Sequence, residues 1–506
     1  MTESLTTTST STPPIAESAR RGLPQFVHAP DHMMVIGGRR VPAVSAKTLP
    51  NTDPTTEQPL ARVPRGAAAD VDAAVQAAKR ALTEPSWAEI TPDQRGRILN
   101  QIADVIEHNA DELASIDSAN MGAPRELTGH MLAEASETFR YYAGWPTKLF
   151  GTHVPVSQDR VAYTRREPLG VVGIIWGWNG PMGQLPGKFA PALAAGNTVV
   201  LKPAETASLS TLRLAELLES TDLPAGVVNV VTGLGAEAGE ALVAHPDVAK
   251  IAFTGSTATG KHVQQLAAET LKHVTLELGG KSPTIVFADA DLRKAATMTA
   301  AGFLGNAGQA CVAGSRIFVQ DSIHDEFVAM LTEMMATMFV PGDPFTPGTF
   351  VGALATRTQL DRVTSYLDIA AQEGAHVVVG GHRFGDQGYF FAPTLLDDVT
   401  PDMRVVREEI FGPVGVIATF TDMDDAIAKA NDTDYGLAAS VWTTNLAAAH
   451  RMAAGIQAGT VWVNTWAEMS TGALPFGGYK QSGTGREGGL EVLDAYTQSK
   501  TVLIAL

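Results

Sequence analysis

Short apolar runs alternate with helix-like stretches over residues 169–268, and this alternation restricts the possible folds more than any other feature. The runs have the length of buried strands, and the stretches between them have helical periodicity. Such alternation is typical of βαβ units, in which helices cover a parallel sheet. The predicted strands are 171–175, 198–201, 227–231 and 250–253, and the predicted helices lie near 184–194, 209–218 and 236–243.

A second alternating region follows over residues 282–439, with predicted strands at 284–287, 317–319 and 377–379. Because single cores stop growing at roughly 250–300 residues, a chain of 506 residues should contain more than one domain. Upstream of both regions, residues 70–82 have helical periodicity with Asp70 as the expected N-cap, and a second helix is expected over 92–109. The sequence therefore predicts two α/β domains in series.

The charge balance excludes several classes of partner. The chain has 54 acidic and 37 basic residues and a net charge of −17, so nucleic acids and anionic membranes would be repelled. No apolar run approaches the roughly 18 residues that span a bilayer. The first twenty residues are rich in Ser and Thr without an apolar core, which indicates a disordered tail rather than a secretory signal. We expect a cytoplasmic protein.

Two glycine-bearing segments follow predicted strands and have more than one interpretation. Residues 253–260 (FTGSTATG) resemble a dinucleotide fingerprint with Thr257 at the central glycine position. The same segment nearly matches a P-loop, but His262 stands where a magnesium-binding Ser or Thr is required. Residues 276–282 (LELGGKS) contain GKS, yet Thr275 occupies the position of the first P-loop glycine. From the residues alone, each segment could equally be a plain strand–helix turn.

Three polar residues are candidates for chemistry. Cys311 is the single cysteine, and small neighbours in 308–316 (GQACVAGSR) would allow a substrate to approach it; the alternative is a buried structural thiol. Glu277 lies in an apolar strand-like segment, where desolvation would make it a usable base, although a carboxylate on a strand more often faces solvent. Asn179 follows a strand at its carboxyl end, where it could donate to an oxyanion or simply form a turn. We find no zinc-ligand spacing and expect no metal.

These segments occur together in the order and spacing of one enzyme family. The chain resembles the aldehyde dehydrogenase superfamily from about residue 30 to its end, and is similar to its aryl-aldehyde members. The resemblance is carried by GWNGP, LKPAET, FTGSTATG, LELGGKS, GQACVAGSR, EEIFGP and PFGGYKQSGTGRE.

The resemblance implies a fold and an assembly. We expect an α/β protein with a Rossmann-like NAD-binding domain, an α/β catalytic domain and a small oligomerisation β element that completes a homodimer or homotetramer. The expected boundaries are a disordered tail at 1–25, the NAD-binding domain at 26–145 and 169–280, the catalytic domain at 281–485, and the oligomerisation element at 146–168 and 486–506.

The resemblance also implies roles for individual residues. Cys311 would be the nucleophile, Glu277 the general base and Asn179 an oxyanion donor, while Lys188 and Glu487 would relay protons. Lys202 and Glu205 would bind the adenosine ribose, Ser256 the pyrophosphate, and Glu409 and Phe411 the nicotinamide end. Further cofactor contacts are expected from Trp178, Gly255, Gly260 and Leu278.

The implied reaction is NAD-dependent oxidation of an aldehyde to its acid through a cysteine thiohemiacetal and a thioester. Glu205 favours NAD, because its charge would repel the 2′-phosphate of NADP. The alternative is a relative that forms acyl-CoA or reduces acyl groups, which Glu277 disfavours because such relatives generally lack this glutamate.

The substrate pocket departs from the commonest family pattern. Gly180 and Gly187 stand where relatives usually carry bulky side chains, whereas Trp466 and Phe476 are expected to remain as apolar walls. A widened tunnel favours a bulky hydrophobic or aromatic aldehyde as the substrate.

Overall fold

A computed structural model describes residues 22–29, 31–468 and 472–506. Of the predicted tail, 1–25, residues 1–21 lie outside the described residues. The strands, in chain order, are β1 (Met34–Ile36), β2 (Arg39–Val41), β3 (Thr48–Thr52), β4 (Pro59–Pro64), β5 (His153–Val154), β6 (Arg160–Pro168), β7 (Val171–Ile175), β8 (Thr198–Lys202), β9 (Val228–Val230), β10 (Val248–Thr254), β11 (His273–Glu277), β12 (Pro283–Val286), β13 (Arg316–Gln320), β14 (His376–Val379), β15 (Thr394–Asp397), β16 (Val414–Phe420), β17 (Ala438–Trp442), β18 (Thr460–Val463), β19 (Gly483–Thr484) and β20 (Thr497–Ala505).

The helices cover the faces of the sheets. In chain order they are α1 (Ala68–Thr83), α2 (Pro85–Ala88), α3 (Pro92–His108), α4 (Ala110–Met121), α5 (Arg125–Ala143), α6 (Pro181–Gln184), α7 (Pro186–Ala194), α8 (Leu209–Leu217), α9 (Glu240–Ala244), α10 (Thr257–Ala268), α11 (Leu292–Leu304), α12 (His324–Met338), α13 (Arg357–Glu373), α14 (Arg404–Arg407), α15 (Met423–Asn431), α16 (Leu446–Gly455) and α17 (Glu491–Asp494). Within the described residues, every helix is too short or too polar to span a bilayer.

The first sheet has eight strands in the order β19-β11-β10-β7-β8-β9-β1-β2. The five strands from β11 to β9 are parallel, as the βαβ alternation predicts, and β19, β1 and β2 join antiparallel at the edges. Every residue of β7 and β8 is buried, because helices cover both faces of the sheet. Full burial explains why these strands are continuous apolar runs in the sequence.

The second sheet has seven strands in the order β14-β15-β16-β13-β12-β17-β18, and only β14 is antiparallel to its neighbour. One core contains residues of α11, α12 and α13, including Phe303, Phe327 and Val363. A separate core contains residues of α15 and α16, including Ala426 and Met452. The second alternating region of the sequence therefore forms its own α/β layer.

A small third sheet has the order β20-β6-β5, and β6 and β20 pair antiparallel along their whole length, from Thr497↔Pro168 to Ala505↔Arg160. This sheet is the small β element that the resemblance implied. The boundaries of the domains stay a prediction, although β19 extends the first sheet by pairing with β11.

The predicted helix start at Asp70 was wrong. The helix begins at Ala68 with Ala67 as its N-cap residue, and Asp70 lies in the first turn. The Asp70 carboxylate accepts hydrogen bonds from the backbone N–H of Ala67 and of Val44, both over 2.9 Å. The Asp70 side chain therefore pairs with the backbone N–H of Ala67, which has no partner within the helix. It also holds the loop that contains Val44.

Candidate active site

Two loops meet at the carboxyl edge of the first sheet. The strand order runs from β7 through β8 to β9 in one direction, whereas β10 and β11 lie on the other side of β7. The order of the strands therefore reverses direction at β7, because β8 and β10 lie on opposite sides of it. Open α/β sheets bind ligands in the crevice at such a point. The loops that follow β7 and β10 border a cavity of about 260 Å³.

Eight of the residues that the sequence nominated line this cavity: Trp178, Asn179, Gly255, Ser256, Leu278, Cys311, Glu409 and Phe411. They come from segments that are far apart in the sequence, so the fold brings together the loop after β7, the start of α10 and the segments before β13 and β16. A larger cavity of about 410 Å³, bordered by Arg316 and Asp397, contains none of them. The smaller cavity is the candidate active site.

Cys311 lies in the turn before β13 at the floor of the cavity. Before it, Asn306 and Ala307 both have positive φ angles, which turn the chain sharply after α11. Gly280 approaches from the other side, where a Cβ atom would lie 2.4 Å from the carbonyl oxygen of Cys311. Burial raises the pKa of the Cys311 thiol to about 12, and the carboxylates of Glu409 and Glu277 add to this effect.

Asn179 is held by hydrogen bonds on both sides of its amide. Its Nδ2 donates to the carbonyl oxygen of Gln309 over 2.9 Å, and its Oδ1 accepts from Nε2 of Gln184 over 2.6 Å. The side chain of Asn306 also donates to the backbone carbonyl of Asn179 over 2.8 Å. An amide has two N–H donors, so one remains for a group inside the cavity.

The segment after β10 is the N-terminus of α10. Ser256 is the N-cap residue, and its side chain accepts from the backbone N–H of Thr259 over 3.2 Å. Because this helix end borders the cavity, its free N–H groups and dipole favour an anion there. Gly260 serves packing, since a Cβ atom at this position would lie 2.4 Å from Cδ2 of Leu278.

The loop between α14 and β16 forms another wall. Phe411 has a φ angle of 62°, a conformation that costs a bulky residue on the order of 1–3 kcal/mol. Gln359 and Arg362 of α13 hold this loop, because their side chains donate to the backbone carbonyls of Phe411 and Glu409, each over 2.6 Å. The Phe411 ring meets the Trp178 ring edge-on, with centroids 5.3 Å apart.

Glu409 presents a carboxylate to the same cavity. One of its oxygens accepts from the backbone N–H of Gly280 over 3.0 Å. Burial raises the pKa of Glu409 to about 7, although this hydrogen bond and the charge of Lys281 act in the opposite direction. Gly279 makes the approach possible, because a Cβ atom there would lie 2.4 Å from Oε2 of Glu409.

Lys202 and Glu205 lie beyond this cavity, at the carboxyl end of the neighbouring strand β8. The Lys202 ammonium is buried, and its Nζ lies 3.4 Å from Oε2 of Glu205. Burial lowers the pKa of Lys202, while Glu205 opposes this effect. The pair therefore offers a cation and a carboxylate at the sheet edge where α10 also begins.

Glu277 ends strand β11 and is buried, with 4% of its surface exposed. Neither of its carboxylate oxygens has a hydrogen-bond partner among the described residues. Burial and the charge of Glu487 raise the pKa of Glu277 well above its ordinary value, against the effect of Lys188 and Arg486. A carboxylate with a raised pKa is a stronger base than an exposed glutamate.

Lys188 and Glu487 form a buried ion pair behind Glu277. Only 1% of the Lys188 side chain and 15% of the Glu487 side chain are exposed. The backbone of Glu487 is fixed by two hydrogen bonds with Phe476, of 2.6 and 2.7 Å. The predicted relay residues are therefore brought together.

Comparisons with known proteins identify the family. A family model described as Aldehyde dehydrogenase family matches residues 41–502. An aldehyde dehydrogenase from Alternaria alternata is 46% identical over 475 residues, which cover 94% of this chain and 95% of that protein. The chain belongs to the aldehyde dehydrogenase family.

Solved structures agree with this assignment. The NAD+ complex of an aldehyde dehydrogenase from Bacillus cereus is 44% identical and superposes with a TM-score of 0.93, covering 95% of this chain and 98% of that one. A mutant of the P. syringae indole-3-acetaldehyde dehydrogenase, in complex with NAD+ and IAA, is 39% identical with a TM-score of 0.92, covering 94% and 97%. The predicted family and fold class are confirmed.

The predicted substrate residues of this aldehyde dehydrogenase lie outside the Cys311 cavity. At Gly180, a Cβ atom would lie 3.5 Å from Cε of Met131, and at Gly187 it would lie 3.4 Å from Oε2 of Glu487. Trp466 packs near Gly302, and the backbone of Phe476 pairs with that of Glu487. Their role as the substrate wall stays a prediction.

The prediction from sequence missed four polar residues that shape the site, namely Gln184, Gln309, Gln359 and Arg362. Gln359 and Arg362 are three positions apart on α13 and therefore share one face. The sequence contains no signal that this face meets the loop carrying Glu409, because that contact depends on the packing of α13.

Proposed function

We propose that this protein oxidises a bulky hydrophobic or aromatic aldehyde to the carboxylic acid, with NAD as the oxidant and Cys311 as the nucleophile. The observation that carries the proposal is the meeting of Cys311, the amide of Asn179 and the N-terminus of α10 at one cavity. A nucleophile, an oxyanion donor and a phosphate-binding helix end are the parts that such a reaction requires.

The enzyme class and the cofactor follow from the family. The relatives from Bacillus cereus and P. syringae are both described as complexes with NAD+. Both cover at least 94% of this chain, so nearly the whole chain is shared with them. This protein is an NAD-dependent aldehyde dehydrogenase.

The residues around the cavity fit this cofactor. The N-terminus of α10 with Ser256 suits the pyrophosphate, and Glu409 has one carboxylate oxygen free to accept from ribose hydroxyls. Lys202 and Glu205 offer a donor and an acceptor to the second ribose. When bound, NAD supplies the two-electron oxidant for the thiohemiacetal. Phe411 has a strained backbone and packs against Trp178, so its ring would limit the movement of the nicotinamide ring.

Cys311 must lose its proton before or during attack, because burial and two carboxylates stabilise the neutral thiol. This proton leaves to solvent water, so Glu277 stays available as the base for the later hydrolysis step. The sulfur then bonds to the aldehyde carbon, and the carbonyl oxygen becomes an alkoxide. The free N–H of Asn179 and the backbone N–H of Cys311 stabilise this alkoxide, and one such donor is worth roughly 3–4 kcal/mol.

After oxidation the acyl group is held on Cys311 as a thioester. Glu277 removes a proton from a water molecule, whose oxygen bonds to the acyl carbon while the carbon–sulfur bond breaks. The products are the carboxylic acid and the Cys311 thiolate. Lys188 and Glu487 are the adjacent groups that can pass the proton away from Glu277.

An acyl-CoA-forming or acyl-reducing enzyme of the same fold is the alternative. The buried Glu277 with two unpartnered oxygens favours hydrolysis, since a thiol acceptor needs no base to activate water. Incubation with NAD, an aldehyde panel and coenzyme A tests this directly. The proposal expects the free acid with or without coenzyme A, and acyl-CoA as the main product would overturn it.

The substrate class rests on Gly180 and on one relative. A Cβ atom at Gly180 would make ordinary contacts with the ends of two flexible side chains, Met131 and Gln184, so a large group would fit there once these side chains shift. The P. syringae relative is named for indole-3-acetaldehyde, which is a bulky aromatic aldehyde. Rates with aromatic aldehydes that exceed those with acetaldehyde would support this assignment, and the reverse order would contradict it.

The three-stranded sheet supports an oligomer. Phe150, Leu503 and Leu506 expose 75%, 62% and 79% of their surface near this sheet. Apolar surface of this kind usually contacts a partner. Light scattering on the purified protein would give the mass, and a dimer or a tetramer is expected, whereas a monomer would contradict this proposal.

A further inference from the structure

The β3–β4 hairpin, residues 48–64, forms a two-stranded sheet of its own beside the two large sheets. Asn51 of β3 is buried, and its Nδ2 donates to the backbone carbonyl of Glu205 over 2.7 Å. Asn120 of α4 fixes the Asn51 amide, because its Nδ2 donates to Oδ1 of Asn51 over 3.0 Å and to the carbonyl of Thr206 over 2.8 Å. This end of the hairpin therefore holds the loop after β8, which carries Glu205.

The turn between β3 and β4 contacts elements of the second sheet. Glu57 lies in this turn, and its Oε2 accepts from the side chain of Arg357, the first residue of α13, over 2.6 Å. Its Oε1 accepts from the side chain of Arg383 over 2.7 Å. The backbone N–H of Tyr389 also donates to the carbonyl of Pro54 over 2.8 Å. Because α13 shares a core with strands β13 and β16, the turn is attached to the second sheet.

Glu57 has a backbone conformation that glutamate rarely adopts. Its φ angle is 61°, in the left-handed region that favours glycine. Such strain persists only where surrounding contacts offset it. The two arginines provide these contacts, because each carboxylate oxygen of Glu57 has an arginine partner of its own and only 24% of the side chain is exposed. The strained turn therefore depends on its contacts with Arg357 and Arg383.

Helix α13 connects Glu57 with the loop that carries Glu409. Gln359 and Arg362 lie in the first two turns of this helix, and their side chains donate to backbone carbonyls of that loop, each over 2.6 Å. A helix of this length transmits a shift of its first turn as a rigid element. The hairpin therefore connects the loop of Glu205 with the loop of Glu409.

We propose that the β3–β4 hairpin fixes the distance between the Glu205 and Glu409 loops, and that Asn51 and Glu57 are positioning residues for the dinucleotide. The inference rests on the proposed function, which places one ribose at Glu205 and the other at Glu409. A dinucleotide must contact both loops at once, so its affinity depends on their spacing, whereas the adenosine half contacts only the first loop. Loss of the Glu57 contacts should therefore weaken the whole dinucleotide and spare its adenosine half.

The test is calorimetric titration of the Glu57→Gly variant with NAD and, separately, with adenosine monophosphate. Glycine adopts the left-handed conformation without strain, so this variant loses the two ion pairs and keeps the course of the turn. We expect the Kd of NAD to rise by about tenfold. The Kd of adenosine monophosphate should stay within about twofold of the wild-type value, because Asn51 still holds the Glu205 loop.

Two further variants identify the path of this effect. Arg357→Met removes the partner of Glu57 on α13, so it should raise the Kd of NAD as Glu57→Gly does. The double variant should bind NAD no more weakly than either single variant, because both changes break the same contact. Asn51→Ala releases the opposite end of the hairpin and should raise the Kd values of NAD and adenosine monophosphate alike.

Glu112→Ala is the matched control. The Glu112 side chain has the same exposed fraction as that of Glu57, 24%, and its carboxylate pairs with Arg213 over 2.9 Å. This ion pair joins α4 and α8, whose apolar residues pack in one core with strands of the first sheet. The variant should bind NAD and adenosine monophosphate as the wild type does.

An unchanged Kd of NAD in a folded Glu57→Gly protein would overturn the proposal. Equal rises in the Kd values of NAD and adenosine monophosphate would also overturn it, because they would show a general loss of structure. If Glu57→Gly does not fold, Arg357→Met is judged by the same two outcomes. Unchanged affinity for adenosine monophosphate in Asn51→Ala would overturn the role of Asn51.

Hydrogen exchange of the cofactor-free protein separates this proposal from the proposed function. Exchange in the loop of Glu409 should be faster in Glu57→Gly than in the wild type or in Glu112→Ala, and unchanged exchange would overturn the role of the hairpin. Normal NAD binding by Glu409→Gln would count against the proposed place of the cofactor instead. Faster exchange in Glu57→Gly would then still support the contact through α13.

Discussion

Gln184, at the end of α6, donates a hydrogen bond from Nε2 to Oδ1 of Asn179 over 2.6 Å, and Asn179 lies in the loop after β7. This bond fixes the amide so that its nitrogen faces the Cys311 turn, where it donates to the carbonyl of Gln309. The amide proposed as the oxyanion donor is therefore oriented before any aldehyde binds. A donor in place in advance costs no reorganisation during the reaction.

Replacement of Asn179 by alanine should lower kcat by about 10²- to 10³-fold, because one oxyanion donor is removed. Gln184→Met should have a smaller effect, of about tenfold or less, because the donor remains but is no longer oriented. Both rates are measured from NADH formation. An Asn179→Ala enzyme with nearly normal kcat would show that the alkoxide is stabilised elsewhere.

Replacement of Glu277 by glutamine should separate the two halves of the reaction. The variant should release about one equivalent of NADH per site in a rapid phase and then stop, because the thioester is formed but not hydrolysed. In the wild type, hydrolysis should slow as the pH falls, since burial and Glu487 raise the pKa of Glu277 and the protonated form is inactive. If Glu277→Gln lost both the rapid phase and the steady-state phase of NADH formation, the assignment of Glu277 to hydrolysis alone would be contradicted.

Replacement of Gly180 by phenylalanine should narrow the substrate tunnel. Gly180 has a φ angle of 167°, which any residue can adopt, so the ring can be introduced without backbone strain. The ratio of kcat/KM for a large aromatic aldehyde to that for acetaldehyde should fall by about tenfold or more. Met131→Ala serves as the opposite control and should not lower this ratio. An unchanged ratio in Gly180→Phe would remove the idea that this glycine selects bulky substrates.

Replacement of Glu205 by glutamine should weaken the preference for NAD over NADP. In the proposed contact the carboxylate would repel the 2′-phosphate, whereas the neutral amide would keep hydrogen bonds to the ribose. The ratio of kcat/KM for NADP to that for NAD should rise by about tenfold. The wild type itself should prefer NAD, and a wild type that favours NADP would show that this assignment is wrong.

Much of the fold follows from the sequence because its strands are buried on both faces. Strand β7 has the predicted bounds, and β8 extends one residue beyond them, since a short continuous apolar run between two helices is typical of a strand covered on both sides. The predicted helix over 184–194 is instead two helices, because Pro186 starts α7 and has no N–H to continue α6. Pro186 is visible in the sequence, so this break between the two helices could have been predicted.

Other parts of the site could not be predicted because they depend on distant contacts. Strand β19 has two residues and exists only through pairing with β11, which brings Glu487 behind Glu277. The contacts of Gln359 and Arg362 with the Phe411 loop likewise arise from the packing of α13. The motifs nominated Cys311, Asn179 and Glu409 for one site, but their residue types alone do not encode its shape.

The most direct test of the proposed mechanism is the fate of Cys311 during turnover. In the Glu277→Gln enzyme mixed with NAD and an aromatic aldehyde, peptide mass spectrometry should find the acyl group on Cys311, and Cys311→Ser should lose activity by on the order of 10³-fold or more. Normal turnover by Cys311→Ser, or an acyl group found on another residue, would contradict this mechanism.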